Sequence, residues 1–151
     1  MAKKLQTFWW GLFLILLHTP VLSADLIYQI DITGCEEEPC YSKWIQTLDV
    51  EKSVSVQAWF DIADPFKEGS KDIYPLFNVF NNTGTAIKVR LGMQLLDADK
   101  RIVVETSQEA SFSPFNKKES AYKTYLSITP KKLTAEQIRR AKYVAVIYQR
   151  I

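Results

Sequence analysis

One histidine, two cysteines and 17 acidic residues are the side chains from which this chain of 151 residues could build catalysis or bind a metal. The histidine is His18, in a segment that reads as a removable leader. Residues 25–151 then hold no imidazole. A Ser-His-Asp or Cys-His nucleophile system needs one. So do the common zinc and copper sites and most proton transfer near neutral pH. Chemistry would fall to carboxylates, Lys or Tyr. Asp61 and Asp64 are the nearest pair for a glycosidase mechanism, which takes two carboxylates across a cleft. Among so many acids some such pair always occurs. Asp97 and Asp99 lie two apart and could offer oxygens to calcium, but a calcium loop recruits further Asp, Asn and Glu oxygens. Asp in a tight turn serves local hydrogen bonds instead. We expect no enzyme, no cofactor and no metal site.

Cys35 and Cys40 bracket the run Glu36-Glu37-Glu38-Pro39. An even pair in an exported chain reads as a disulfide. A redox pair has two intervening residues and a helix N-terminus to lower a thiol pKa; here three glutamates would raise it. The bridge would pin one acidic loop. Glu36, Glu37 and Glu38 are then either a solvated turn or a contact for a basic partner.

Lys3 and Lys4 precede an uncharged apolar run from Phe8 to Leu17, then Pro20 and Val21-Leu22-Ser23-Ala24. A basic start, an apolar stretch and small residues before a cut make a signal peptide. We assign it to residues 1–24. Cleavage after Ser23 remains the alternative to cleavage after Ala24. A spanning helix needs about 20 apolar residues, and this run is about half that. No later run is long enough, so no membrane span is expected once the leader is gone. Export to the periplasm or the extracellular space follows. Lys3 and Lys4 leave with the leader, so the rest carries 17 bases against 17 acids. Nucleic-acid binding needs a basic excess on one face, and the totals offer none.

Residues 25–151 read as one domain dominated by alternation. Val54, Val56, Ala58, Phe60 and Ile62 alternate with Ser53, Ser55, Gln57, Trp59 and Asp61, the mark of a half-buried strand. Ile87 to Leu95 and Tyr122 to Ile128 repeat the pattern. Tyr143 to Tyr148 is almost continuously apolar, as suits a central strand covered on both faces. Turns fall at Asp64–Ser70, Asn81–Gly84, Asp97–Lys100, Ser113–Asn116 and Thr129–Lys132. Asn81-Asn82-Thr83 also matches an N-glycosylation acceptor, although the turn accounts for it. Leu133 to Ala141 reads as a short helix, with Thr134 and Gln137 at capping-box spacing. With Leu26–Ile32, Ile73–Phe80 and Arg101–Thr106 this makes about seven strands, the count of a sandwich or barrel. The expected fold class is all-β, a sandwich with one short helix before the last strand.

The order from Pro75 to Val104 resembles fibronectin-III-like, immunoglobulin-like β-sandwich modules of bacterial exported proteins, the FxLYD-type group among them. A strand enters Asn81–Gly84, a long alternating strand ends in Leu95-Leu96-Asp97-Ala98-Asp99-Lys100, and Ile102-Val103-Val104 returns. Lys100 stands where that turn usually has Gly. The resemblance implies an immunoglobulin-like sandwich and carries no shared catalytic residues.

Aromatic residues are the remaining surplus. Trp59 lies on the polar side of its strand, Tyr74 and Phe80 lie opposite Phe77 and Val79, and Tyr125 lies opposite Leu126. Either loops bury these rings, or one sheet presents them as an apolar patch of the kind that marks interaction surfaces. We expect a non-catalytic module acting through protein–protein contacts, such as an accessory part of a bacterial envelope or secretion assembly. The alternative is a small carbohydrate- or ligand-binding domain that stacks its ligand on Trp59 or Trp44.

Overall fold

The computed structural model describes residues 26–63, 71–115 and 124–151, without the side chains of Ser42, Trp44 and Gln46. The expected leader (1–24), Asp64 with the turn that follows it, and the start of the strand expected from Tyr122 lie outside the described residues.

The architecture is an all-β sandwich of two antiparallel sheets. Among the described residues its 9 strands are β1 (Ile27–Gln29), β2 (Cys40–Glu51), β3 (Val54–Ile62), β4 (Asp72–Asn81), β5 (Ile87–Leu96), β6 (Ile102–Phe112), β7 (Tyr125–Ser127), β8 (Lys131–Lys132) and β9 (Tyr143–Arg150). Sheet A has 4 strands in the order β1-β9-β5-β6. Sheet B has 5, in the order β2-β3-β4-β7, with β8 pairing the start of β4. Two strands exceed the expected count. One is β8, a pair of lysines. The other is β2, hidden because its register against β3 shifts between Cys40 and Lys43, Trp44 and Gln46, and Asp49 and Glu51. Each bulge adds a residue and swaps the side-chain faces, so Ile45 and Leu48 pack on the core from positions of opposite parity. β6 also runs beyond the expected Thr106 to Phe112. Its second half, Ser107-Gln108-Glu109, is exposed on an edge strand and shows no apolar alternation.

The two inner faces meet in one core. Val56, Ala58, Phe60, Ile62, Phe77, Val89, Leu91, Met93, Val144 and Val146 are almost wholly buried. β9 lies between β5 and β1 and is buried on both sides from Val144 to Ile147, as its apolar run requires. Gly92 on β5 faces away from the core, where β6 closes on it. A Cβ there would collide with Thr106 O and lie 2.6 Å from Ser107 Cβ.

The short helix α1 (Ala135–Arg140) precedes β9. Thr134 Oγ1 accepts from Gln137 N–H at 3.1 Å, and Gln137 Oε1 accepts from Thr134 N–H at 2.9 Å. This is the capping box that the spacing predicted. Ile138 is buried, and α1 rests on a 3₁₀ turn at Thr33–Glu36.

A buried polar side chain ties the sheets together at one end. Asn81, at the inward end of β4, is fully buried. Its Nδ2 donates to Thr85 O at 2.7 Å and to Phe112 O, on β6 of the other sheet, at 3.0 Å. Its Oδ1 accepts from Thr83 N–H at 3.1 Å and Thr83 Oγ1 at 2.7 Å. Its carbonyl accepts from Phe115 N–H at 2.6 Å. Burial and a committed amide nitrogen close Asn81 to glycosylation in the folded protein.

Removing that amide leaves buried carbonyls without a donor. Asn81→Ala should cost about 3 kcal/mol of unfolding free energy in urea titrations. Asn81→Asp should cost more, because it aims a buried charge at two carbonyl oxygens. A loss below about 1 kcal/mol for both would reduce Asn81 to a replaceable turn residue.

Candidate functional site

The outward row of β3 is Ser55, Gln57, Trp59 and Asp61, and that of β4 is Asp72, Tyr74, Leu76, Asn78 and Phe80. Every one of these is half-buried. The ladder sets Asp61 opposite Tyr74, Trp59 opposite Leu76, Gln57 opposite Asn78 and Ser55 opposite Phe80. On the other side of β4, Tyr125 pairs with Asn78 and Ser127 with Leu76. Trp59 and Tyr125 thus flank the same strand from both sides. Their rings lean toward each other over it, with centroids 6.1 Å apart and planes tilted by 46°. Tyr125 keeps 45% of its surface exposed. Asn78 Nδ2 donates to Gln57 Oε1 at 3.4 Å beside the pair. Farther along, Phe80 meets Phe115 edge-on at 5.3 Å. Trp44 follows Trp59 in the ladder on β2.

The environment of this face shows in the Tyr125 phenol. Partial burial pushes its pKa above the usual value, the Asp61 charge adds to that, and the Ser127 side chain opposes both. Tyr125 therefore stays a neutral hydrogen-bonding phenol. Rings, amides, hydroxyls and the two carboxylates of Asp61 and Asp72 share this pleated surface. Trp59, Tyr74, Phe80 and Tyr125 all lie on it.

The outer face of sheet A is different. Lys88 and Arg90 on β5 meet Glu109 on β6 at 2.8 and 3.4 Å. Toward β9 the same face closes over Gln94, Leu96, Ala145 and Ile147, all buried. Gln94 Nε2 donates to Glu105 at 2.6 Å.

The acidic loop sits elsewhere again. Cys35 and Cys40 form a disulfide at the end of the sandwich where Cys40 pairs with Ile62. Cys35 is buried, and its carbonyl accepts from Lys71 Nζ at 3.2 Å. Glu36 is half-buried and paired with Arg139 of α1 at 2.7 Å. Glu37 and Glu38 are exposed. The three glutamates therefore split: one fastens the loop to the helix, and two face solvent.

Asp97 does the work of a turn. Its Oδ1 accepts from Asp99 N–H at 3.0 Å and Arg101 N–H at 2.9 Å, and its Oδ2 lies 3.4 Å from Arg140. These contacts, the Arg101 N–H first, hold its carboxyl below the usual range. Asp99 turns instead to Arg101, at 3.5 Å. Lys100 adopts the left-handed conformation (φ 61°) that Gly favours, and its ammonium lies 4.9 Å above the Tyr143 ring. Among the described residues no three His, Cys, Asp or Glu side chains gather as metal ligands would, and no helix is long and apolar enough to cross a membrane.

One cluster was not legible in the sequence. Glu51, at the end of β2, accepts from Tyr148 Oη at 2.6 Å and from Arg150 at 2.8 Å. It joins the edge of sheet B to β9 of sheet A. Burial and the Glu51 contact push the Tyr148 phenol well above its usual pKa. Beside it a recess of about 390 Å³ is lined by Asp49, Glu51, Lys52, Ser53, Val54, Ser55 and Asn82.

The chain matches no protein-family model, no curated protein and no solved structure.

Two outcomes follow from this geometry. Asp97 has its pKa lowered by folding, so its stabilisation is complete above the unfolded value near 3.8 and fades as pH falls through the lower folded value. Thermal melts of wild type and Asp97→Asn should differ at pH 7 and converge in strong acid. Replacing both cysteines by Ala should cost about 2 kcal/mol, the loop-closure value for so short a ring, read by urea titration of the oxidised protein against the variant.

Proposed function

We propose that this protein is an exported, non-catalytic immunoglobulin-like module that works through protein–protein contacts, in the periplasm or outside the cell. The observation that carries the reading is the Trp59–Tyr125 ring pair on the outer face of sheet B. Half-exposed aromatic side chains beside neutral amides resemble the anchors of protein interfaces more than an ordinary solvated sheet face. Sheet A meets solvent at the far edge of its outer face with paired charges instead, so the two outer faces are built for different surroundings.

Strand order supports the immunoglobulin-like part. β3, β4 and β7 follow the order of strands A, B and E. β1, β9, β5 and β6 follow the order G, F, C and C′, with the last-strand place filled from the N-terminal side. Export is supported by the leader pattern and by a disulfide, which persists where thiols are oxidised. Sandwiches host many activities, so the fold alone carries none of this.

The test places a photo-crosslinking residue at Tyr125 and, as a control, at Lys88 on the other outer face, in cells of the source organism. A discrete protein adduct at position 125, absent at 88 and reduced at least fivefold by Trp59→Ala, is the expected result. Circular dichroism and a melting curve on Trp59→Ala check that the fold persists. Equal labelling at both positions, or no protein adduct together with saturable binding of a soluble glycan quenched through Trp59, would overturn the reading.

A further inference from the structure

The last-strand place of sheet A is only partly filled. β9 pairs with β5 along its whole length, from Tyr143 opposite Leu96 to Arg150 opposite Val89. On its other side β1 covers only Tyr143 to Ala145. Backbone groups of an antiparallel strand point alternately to its two neighbours. Ile30 N–H donates to Lys142 O at 3.0 Å, on the β1 side, and Ile151 N–H donates to Lys88 O at 2.9 Å, on the β5 side. Even-numbered residues of β9 therefore direct N–H and C=O toward β1, and odd-numbered ones toward β5. Tyr148 is half-buried and Arg150 exposed. Both turn a donor and an acceptor to an edge along which no strand among the described residues pairs with them.

On that side several core-packed side chains are incompletely covered. Leu26 and Tyr28 on the β1 side, Tyr148 on β9, and Ile45 and Val50 on β2 pack against the core yet remain partly exposed. The Glu51 contacts with Tyr148 and Arg150 set the end of β2 opposite the end of β9. The end of β2, with Val50, and the end of β9, with Tyr148, thus form a seam between the edges of the two sheets.

Chain length decides what can fill it. In the β1 register Ile27 faces Ala145. In that register the stretch of β9 from Val146 to Arg150 would need one strand residue for each of its own, ahead of Ile27. Cleavage after Ala24 leaves only Asp25 and Leu26 before Ile27, and Leu26 already lies in a 3₁₀ turn and not in the strand. The processed chain is too short at its N-terminus to complete its own edge.

We propose that the edge of β9 from Ile147 to Arg150 takes up an extended strand of a partner protein, apolar at alternate residues. The incoming backbone pairs with Tyr148 and Arg150, and every second side chain drops into the seam over Tyr148 and Val50. This is strand addition at an edge carrying few of the usual deterrents. It rests on leader removal, part of the reading above, but not on the aromatic face.

The experiment starts with the mass of the native chain, which reports whether it begins at Asp25. A lysine-flanked Val-Thr-Val-Thr-Val peptide is then the probe, read by amide exchange at Tyr148 and by fluorescence anisotropy of the labelled peptide. Arg150→Pro removes an N–H that points to the open edge and leaves the β5 ladder intact. Arg150→Ala keeps that N–H and breaks only the pair with Glu51. We expect at least tenfold slower exchange at Tyr148 with peptide in wild type and Arg150→Ala, and at least tenfold weaker binding to Arg150→Pro. Equal binding to Arg150→Pro, or no protection at millimolar peptide, overturns the proposal while leaving the aromatic reading intact. Protection that appears without peptide and grows with protein concentration makes a second copy the occupant and also overturns it. A native chain that starts at Met1 defeats the export reading first, and this inference with it.

Discussion

Two sheets held face to face by apolar contact alone can slide, because the hydrophobic effect has no direction. The amide of Asn81 removes that freedom at one end of the sandwich. It closes the Asn81–Gly84 turn through Thr83 and Thr85, and it reaches across to Phe112 on the other sheet. Both lobes of the side chain are used, so neither orientation nor position has slack. Glu51 does similar work on the β2 edge, holding Tyr148 and Arg150 of β9. Near the opposite end Glu36 and Asp97 bind α1 through Arg139 and Arg140, and the disulfide closes the loop between them and β2. These polar links fix how the sheets overlay, and hence which side chains lie outward.

The sequence made much of this visible, for a definite reason. Where a strand is regular and covered on one face, its period is two and its buried set can be written down. β3, β5 and the Thr134 cap were legible on that ground. So were the outward positions of Trp59, Tyr74, Phe80 and Tyr125. β2 was not, because each bulge reverses parity and Ile45 and Leu48 stop agreeing. The second half of β6 was not, because an exposed edge strand needs no apolar alternation. The need for Gly at position 92 comes from the neighbouring strand's Thr106 and Ser107, which no local pattern reports. The approach of Trp59 to Tyr125 depends on β3 and β7 flanking the same strand. Cross-strand order is a property of topology, and composition does not encode it. Asn81 was legible as a turn residue but not as a pin, since its partner on β6 is remote in sequence.

The outer face of sheet B is informative because it breaks the pattern that defines the rest. An outward row of Ser, Gln and Asp would satisfy a solvated sheet. Trp59, Tyr74, Leu76, Phe80 and Tyr125 instead put large apolar area on that row, where burial inside the protein is incomplete. Exposed rings add aggregation risk and little stability to the isolated domain. A contact that covers them recovers the free energy of burying that area. In such a contact the neutral amides of Gln57 and Asn78 would set orientation at a smaller desolvation cost than charged groups.

Pairing β1 with β9 has a consequence for when the fold can close. Among the described residues these are the first and last strands, so their contact is the most non-local of them, and loop closure makes such contacts late. β1 also contributes only three residues to its ladder, so it adds little to offset that cost. Were the chain exported from its N-terminal end, as proposed, β1 would be across while β9 had still to emerge. Until β9 arrives, sheet A lacks the strand that is buried on both faces, and Val144 and Val146 are missing from the core. That order of emergence would delay collapse until the last residues were across. The brevity of β1 is also why, among the described residues, no strand pairs with the far half of β9 along that side.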